Sequence, residues 1–144
     1  MAWAGATLLL LHGGVSVQAK PTWFRVEREG RVRRDGEQVT VRGRVRCTAG
    51  ETLYVSVELT QRRKGKRPAH GVDYNAVPCT GKEQRWRVAM FRNIVPMDID
   101  RGRFEEGRTF AQVVAVAVGA ESRTEWTVER KIMLRVPAED NDDA

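Results

Sequence analysis

Five cations fall within six consecutive positions of this chain: Arg62, Arg63, Lys64, Lys66 and Arg67. Guanidinium and ammonium groups at that density attract phosphate, sulfate or carboxylate polymers. Gly65 and Pro68 place them on a loop. A second set, Arg42, Arg44 and Arg46, recurs at every other position, the period that puts side chains on one face of a strand. Arg85 and Arg87 repeat that spacing, and if they pack beside the first stripe the cationic patch becomes extended. Binding by either set would be charge pairing to oxyanions and would weaken with salt. Aromatic stacking platforms are missing from these stretches, Tyr54 apart, so a specific nucleic-acid site is not expected. The alternative is a solvated basic surface without a ligand.

The remaining reactive residues point away from catalysis. Cys47 and Cys79 do not form a CxxC pair, so neither a thioredoxin-type redox site nor a two-thiolate zinc corner is indicated. In an exported domain they read as one structural disulfide, with free or metal-bound thiols as the alternatives. A bridge between them would contribute about 3.5 kcal/mol in the chain-entropy model. Downstream of residue 19 the only histidine is His70. It has no nucleophile motif nearby and reads as an exposed loop residue. Asp98, Asp100, Glu105 and Glu106 cluster as paired carboxylates that could serve glycoside hydrolysis or calcium. Arg101 and Arg103 intrude on any EF-hand spacing, so turn residues with local salt links are the simpler reading. No catalytic residue, metal or cofactor is expected. A small hydrolase is the weakest of the functional alternatives.

These residues need a scaffold, and the ends of the chain bound it. Residues 1–19 read MAWAGATLLLLHGGVSVQA, an apolar stretch before an A-x-A-like cleavage pattern. They are expected to be a signal peptide, with a buried N-terminal strand or helix as the alternative. No later stretch approaches the roughly 18 apolar residues of a membrane span. Residues 20–137 are then one domain, and 138–144 an acidic disordered tail. The net charge of +6 hides an imbalance, because Glu139, Asp140, Asp142 and Asp143 carry four of the acids and the rest of the chain stands at +10. The excess of arginine over lysine is also what a GC-rich genome produces.

Period-two alternation dominates the chain, and no helical period is sustained. From Gln38 to Cys47, Val39, Val41, Val45 and Cys47 share one face with Gly43. Thr40, Arg42, Arg44 and Arg46 share the other. From Thr52 to Gln61, Leu53, Val55, Val57 and Leu59 point inward. Weaker strands are expected at 23–28 and 72–77. Gln84 to Phe91 resumes the pattern, with Trp86, Val88 and Met90 inward. Residues 92–108 read as a long connection. Thr109 to Val118 is apolar on both faces, as in a central strand. In Glu125 to Val136, Trp126, Val128, Ile132, Leu134 and Val136 point one way, with Arg130 as the mismatch. About seven short strands separated by turns predict a two-sheet sandwich, with a small barrel as the alternative.

The order of these segments resembles small secreted actinomycete proteins with an immunoglobulin-like sandwich. The resemblance runs from VTVRGRVRC through LYVSVELTQ to TFAQVVAVA, about Val39 to Val118, and its motif is Cys47, Gln61, Cys79 and Trp86. It implies the sandwich and the bridge, and carries no catalytic residue. The expectation is therefore an all-β, immunoglobulin-like sandwich with one disulfide, secreted, with cell-wall association as the alternative to free release, a monomer and not an enzyme. Its function would be to bind anionic cell-envelope polymers or an extracellular protein through the basic loop. A passive stabilising domain without a dedicated ligand is the alternative.

Overall fold

Alternating sequence becomes alternating burial in a computed structural model that describes residues 20–91 and 102–138. The expected leader (1–19), the acidic tail beyond Ala138, and Asp98 and Asp100 lie outside the described residues. The described residues form eight strands: β1 Trp23–Val26, β2 Glu29–Val32, β3 Gln38–Arg46, β4 Thr52–Gln61, β5 Ala69–Pro78, β6 Gln84–Phe91, β7 Gly107–Val118 and β8 Arg123–Arg135. One layer is β1–β3–β6 and the other is β8–β7–β4–β5, with antiparallel pairing within each. β2 is the seam, antiparallel to β3 and parallel to β8. The fold is all-β, an immunoglobulin-like sandwich with one disulfide.

The expected strand at 23–28 is β1, ending at Val26, and an unexpected second strand, β2, follows at Glu29–Val32. Glu27 N–H still donates to Arg42 O of β3 at 2.8 Å, whereas Arg28 O already accepts from Met133 N–H of β8 at 2.8 Å. The chain changes layers between those two residues. Four-residue strands carry too little alternation to be seen as separate elements, which is why the sequence suggested seven.

The inward residues of β3, β4, β6 and β7 form one core. Val39, Val41, Val45, Leu53, Val57, Leu59, Met90, Ala111, Val113, Ala115 and Ala117 are fully buried. An aromatic stack joins the layers: Phe24 lies 5.0 Å from Trp86 and 6.0 Å from Trp126, ring centre to ring centre. Trp86 covers Gly43, and its indole N–H donates to Arg25 O at 3.1 Å. A side chain at position 43 would place its Cβ 1.9 Å from Arg25 O and 2.5 Å from Trp86 Cζ2, so only glycine fits. Arg130, the mismatch in β8, donates from Nη1 to Val26 O at 3.0 Å. Its charge replaces an apolar contact with a tie across the seam, and β8 before Ile132 is only half-buried.

Cys47 directly follows β3 and Cys79 directly follows β5, and they form the disulfide. The bridge ties an end of one layer to an end of the other. Backbone bonds reinforce it, from Cys79 N–H to Glu51 O at 2.9 Å and from Gly81 N–H to Cys47 O at 3.1 Å.

Candidate anion-binding surfaces

The buried faces of β1, β3 and β6 fix what their outer faces carry. Arg44 stands opposite Arg25 on one side and Arg85 on the other, and Arg42 stands opposite Arg87. Arg46 stands opposite Trp23, and the Arg25 guanidinium lies 4.7 Å above the Trp23 ring. The conditional expectation that Arg85 and Arg87 pack beside the stripe is met by the register. Strands are spaced about 4.8 Å apart and alternate residues about 6.8 Å along each, so these cations form a close grid. Two carboxylates answer them: Glu27 reaches Arg42 Nε at 3.8 Å and Glu83 reaches Arg44 Nη1 at 3.3 Å. Arg46 Nε is buried with no hydrogen-bond partner. Like charges directly opposite on paired strands repel. The face holds more positive charge than the domain itself neutralises.

The 62–67 loop has the opposite economy. Arg63 and Lys66 both contact the Glu105 carboxylate, Lys66 at 2.9 Å. Arg63 is only 14% exposed, and its Nη2 also donates to Arg67 O at 3.2 Å. The hydrogen bond from Lys66 holds the Glu105 carboxyl below its usual value; desolvation opposes it, and the Arg63 and Lys66 charges add to the lowering. Gln61, wholly buried at the end of β4, fixes the segment that brings Glu105 in. Its Oε1 accepts from Glu105 N–H at 2.8 Å, and its Nε2 donates to Glu105 O at 2.7 Å and Thr109 Oγ1 at 3.1 Å. Of the five loop cations, Arg62 and Lys64 are exposed and make no ion pair among the described residues. The loop is partly a structural clamp, built from an acid 39 positions from Lys66.

The outer face of the second layer differs again. Of the large apolar side chains exposed in the described residues, Tyr54, Val72, Tyr74, Phe110 and Val118 lie here, and Phe91 of β6 lies elsewhere. His70, expected in the loop, sits in β5, half-buried, with Nε2 3.2 Å from Glu58 Oε1. Glu106 accepts from Val136 N–H at 2.7 Å. The two described members of the acidic cluster thus make structural contacts, to residues 30 or more positions away and not to the local partners expected. The described residues contain no helix long and apolar enough to cross a membrane.

No family model and no curated protein matches the chain. Among solved structures, it is similar to the Pseudomonas fluorescens alkylpurine DNA glycosylase AlkC bound to DNA containing an abasic site analog. That similarity has 16% identity and a TM-score of 0.37, over 79% of this chain and 29% of the other. The chain therefore spans under a third of that protein, and the resemblance is too distant to bear on function.

Proposed function

We propose that this protein is a secreted, non-enzymatic binding module that holds anionic cell-envelope polymers on the outer face of β1–β3–β6. One observation carries the reading: Arg44 is flanked by Arg25 and Arg85, and Arg42 by Arg87, and among the described residues only Glu27 and Glu83 form ion pairs with that grid. A polyanion laid over the grid relieves the repulsion and supplies acceptors for guanidinium forks. Arg42, Arg44 and Arg46 become the principal carriers with Arg25, Arg85 and Arg87. From the loop, Arg62 and Lys64 extend the positive field, while Arg63 and Lys66 are already engaged by Glu105. The disulfide supports an oxidising compartment, and with it export and association with the cell surface.

The test is retention of the full protein on an immobilised poly(phosphodiester) at about 0.05 and 0.5 M salt, where exposed charges are respectively felt and screened. Strong retention that disappears at high salt is expected. Retention unchanged by salt, or none at low salt, would leave the passive-domain reading standing. Tyr54, Val72 and Tyr74 favour a second reading, an extracellular protein partner on the opposite face; Tyr74 is 74% exposed. Such a partner would bind with little salt dependence and be lost with Tyr54→Ser and Tyr74→Ser.

A further inference from the structure

The second layer carries an unassigned pocket away from the arginine grid. It has a volume of about 530 Å³, within the usual range for small-ligand sites. Its walls are Thr60, Arg62, Arg108, Thr109, Phe110 and Lys131. The register explains the grouping. Phe110 of β7 stands between Thr60 of β4 and Lys131 of β8. Arg108 lies two residues back along β7 on the same side of the sheet, and Arg62, just past the end of β4, lines the space beside it. Arg62, Arg108 and Lys131 make no ion pair or side-chain hydrogen bond in the described residues, so three cations face one space without an internal acid.

The neighbouring row is acidic. Glu58 and Glu129 flank Gln112, which donates to Glu129 at 3.2 Å. An extended polyanion running along the strands from the cationic row would meet these carboxylates within about 6.8 Å, the repeat of one strand face. The pocket therefore favours one anionic group over a long charged chain. Phe110 adds a second requirement. Its ring is 44% exposed in the wall, so the ligand must cover it with an apolar or CH-rich face. Beside it Thr60 is half-buried and contributes a hydroxyl.

We infer that this pocket binds a single anionic sugar unit, a phosphosugar or a uronate. The oxyanion meets Arg62, Arg108 and Lys131, and the ring lies on Phe110. The site uses none of the arginines of the other layer and shares only Arg62 with the proposed polymer-binding surface, so Arg108, Lys131 and Phe110 test it separately. The same unit can arrive free or as the end of a chain, and oligomer length tests whether the site takes one unit or several.

The experiment is calorimetric titration of the full protein with glucose 6-phosphate, inorganic phosphate, glucose, galacturonate and trigalacturonate. Glucose 6-phosphate should bind saturably, about tenfold tighter than inorganic phosphate, the scale of one aromatic contact. Glucose alone should not bind. Phe110→Ala should erase the difference between the two phosphates, and Arg108→Gln or Lys131→Gln should weaken both. The double variant Arg85→Gln/Arg87→Gln should leave these titrations unchanged. Equal affinity for phosphate and glucose 6-phosphate, or no effect of Phe110→Ala in a folded variant, overturns the proposal. Trigalacturonate matching galacturonate places the ligand as a single unit, free or terminal. Affinity rising steeply with length contradicts the limit set by Glu58 and Glu129. No saturable binding of any probe also overturns it, and Lys131→Gln, on the exposed face, keeps the result separable from misfolding.

Discussion

The two outer faces of this sandwich come from the same alternating code and end with opposite characters. On β1–β3–β6 the residues between the core valines are arginines, and pairing sets arginine against arginine. On β8–β7–β4–β5 the corresponding positions are tyrosine, valine, threonine and glutamate, with Arg108 and Lys131 near one end and Arg123, paired with Glu125, at the other. The inner halves of both sheets are apolar, small or branched on β4 and β7 and with Phe24, Trp86 and Met90 added on β1 and β6. Core demand fixes every second residue and leaves the others free, so one scaffold carries two outer faces of different chemistry.

The bridge is the first way to break that comparison, because it joins the layers that carry the two faces. Cys47→Ser/Cys79→Ser should lower unfolding free energy by about 3.5 kcal/mol, measured by urea denaturation. Polymer and sugar-phosphate binding should fall together at the temperature where the variant melts, and be normal below it. Loss of one binding activity alone in a fully folded variant would show that the bridge shapes that face directly.

Next in size is the charge of the grid itself. Arg44→Gln/Arg85→Gln/Arg87→Gln removes three of the opposed cations and little buried surface. At about 1 kcal/mol for each cation near an anionic surface, polymer affinity should drop roughly a hundredfold at low salt. Relief of the Arg–Arg repulsion should leave the melting temperature unchanged or raised. The same triple change should not alter binding in the Phe110 pocket. A fall in stability with no fall in affinity would make the arginines structural and the grid irrelevant to ligand.

Gly43 sharpens the contrast from inside. Only this strand accepts an indole on one side and a neighbouring carbonyl at once, through Trp86 and Arg25. Gly43→Ala should cost about 1–3 kcal/mol by overpacking, because the contacted carbonyl is backbone and cannot swing away. Ala115→Gly on β7, also buried but without such a clash, should cost less, about 1 kcal/mol from lost strand propensity and burial. Thermal unfolding of the pair checks the ordering, and equal losses would mean that β1 adjusts to admit a side chain.

Much of this was legible in the sequence where one strand sufficed to decide it. Val39, Val41, Val45 against Arg42, Arg44, Arg46 is a local statement, and so is Leu53 to Leu59. Cysteines flanking strand ends pointed to the bridge. What stayed hidden depends on pairing across long separations. Arg42 meeting Arg87 and Arg44 meeting Arg85 follows from the β3–β6 register, which no single segment encodes. β2 is stabilised by one antiparallel and one parallel neighbour, while its own four residues carry little pattern. Arg130 looked like an error in β8 until Val26 O supplied its acceptor. The basic loop looked free because Glu105 arrives from 39 positions beyond Lys66, and buried Gln61, visible only as a polar strand end, is what delivers it.

That loop gives the smallest effect and the finest separation between spent and available charge. Glu105 is held below its ordinary value of 4.5 by Lys66 and Arg63. A carboxyl with a lowered folded-state value contributes stability above its unfolded value, and that contribution disappears as pH falls through the folded one. Wild type should therefore exceed Glu105→Gln in stability by a small constant margin at neutral and mildly acidic pH. The margin should close only below the ordinary carboxylate range. At neutral pH Glu105→Gln should also bind the poly(phosphodiester) somewhat more tightly, since Arg63 and Lys66 lose their internal acid. The gain should stay well short of the loss from the grid triple, because both cations remain near the backbone of their own loop. Paired urea titrations across pH and retention at low salt measure both. Tighter binding with no stability margin would mean that Glu105 screens the loop without clamping it, and a margin that persists into strong acid would assign the stability to Gln61 alone.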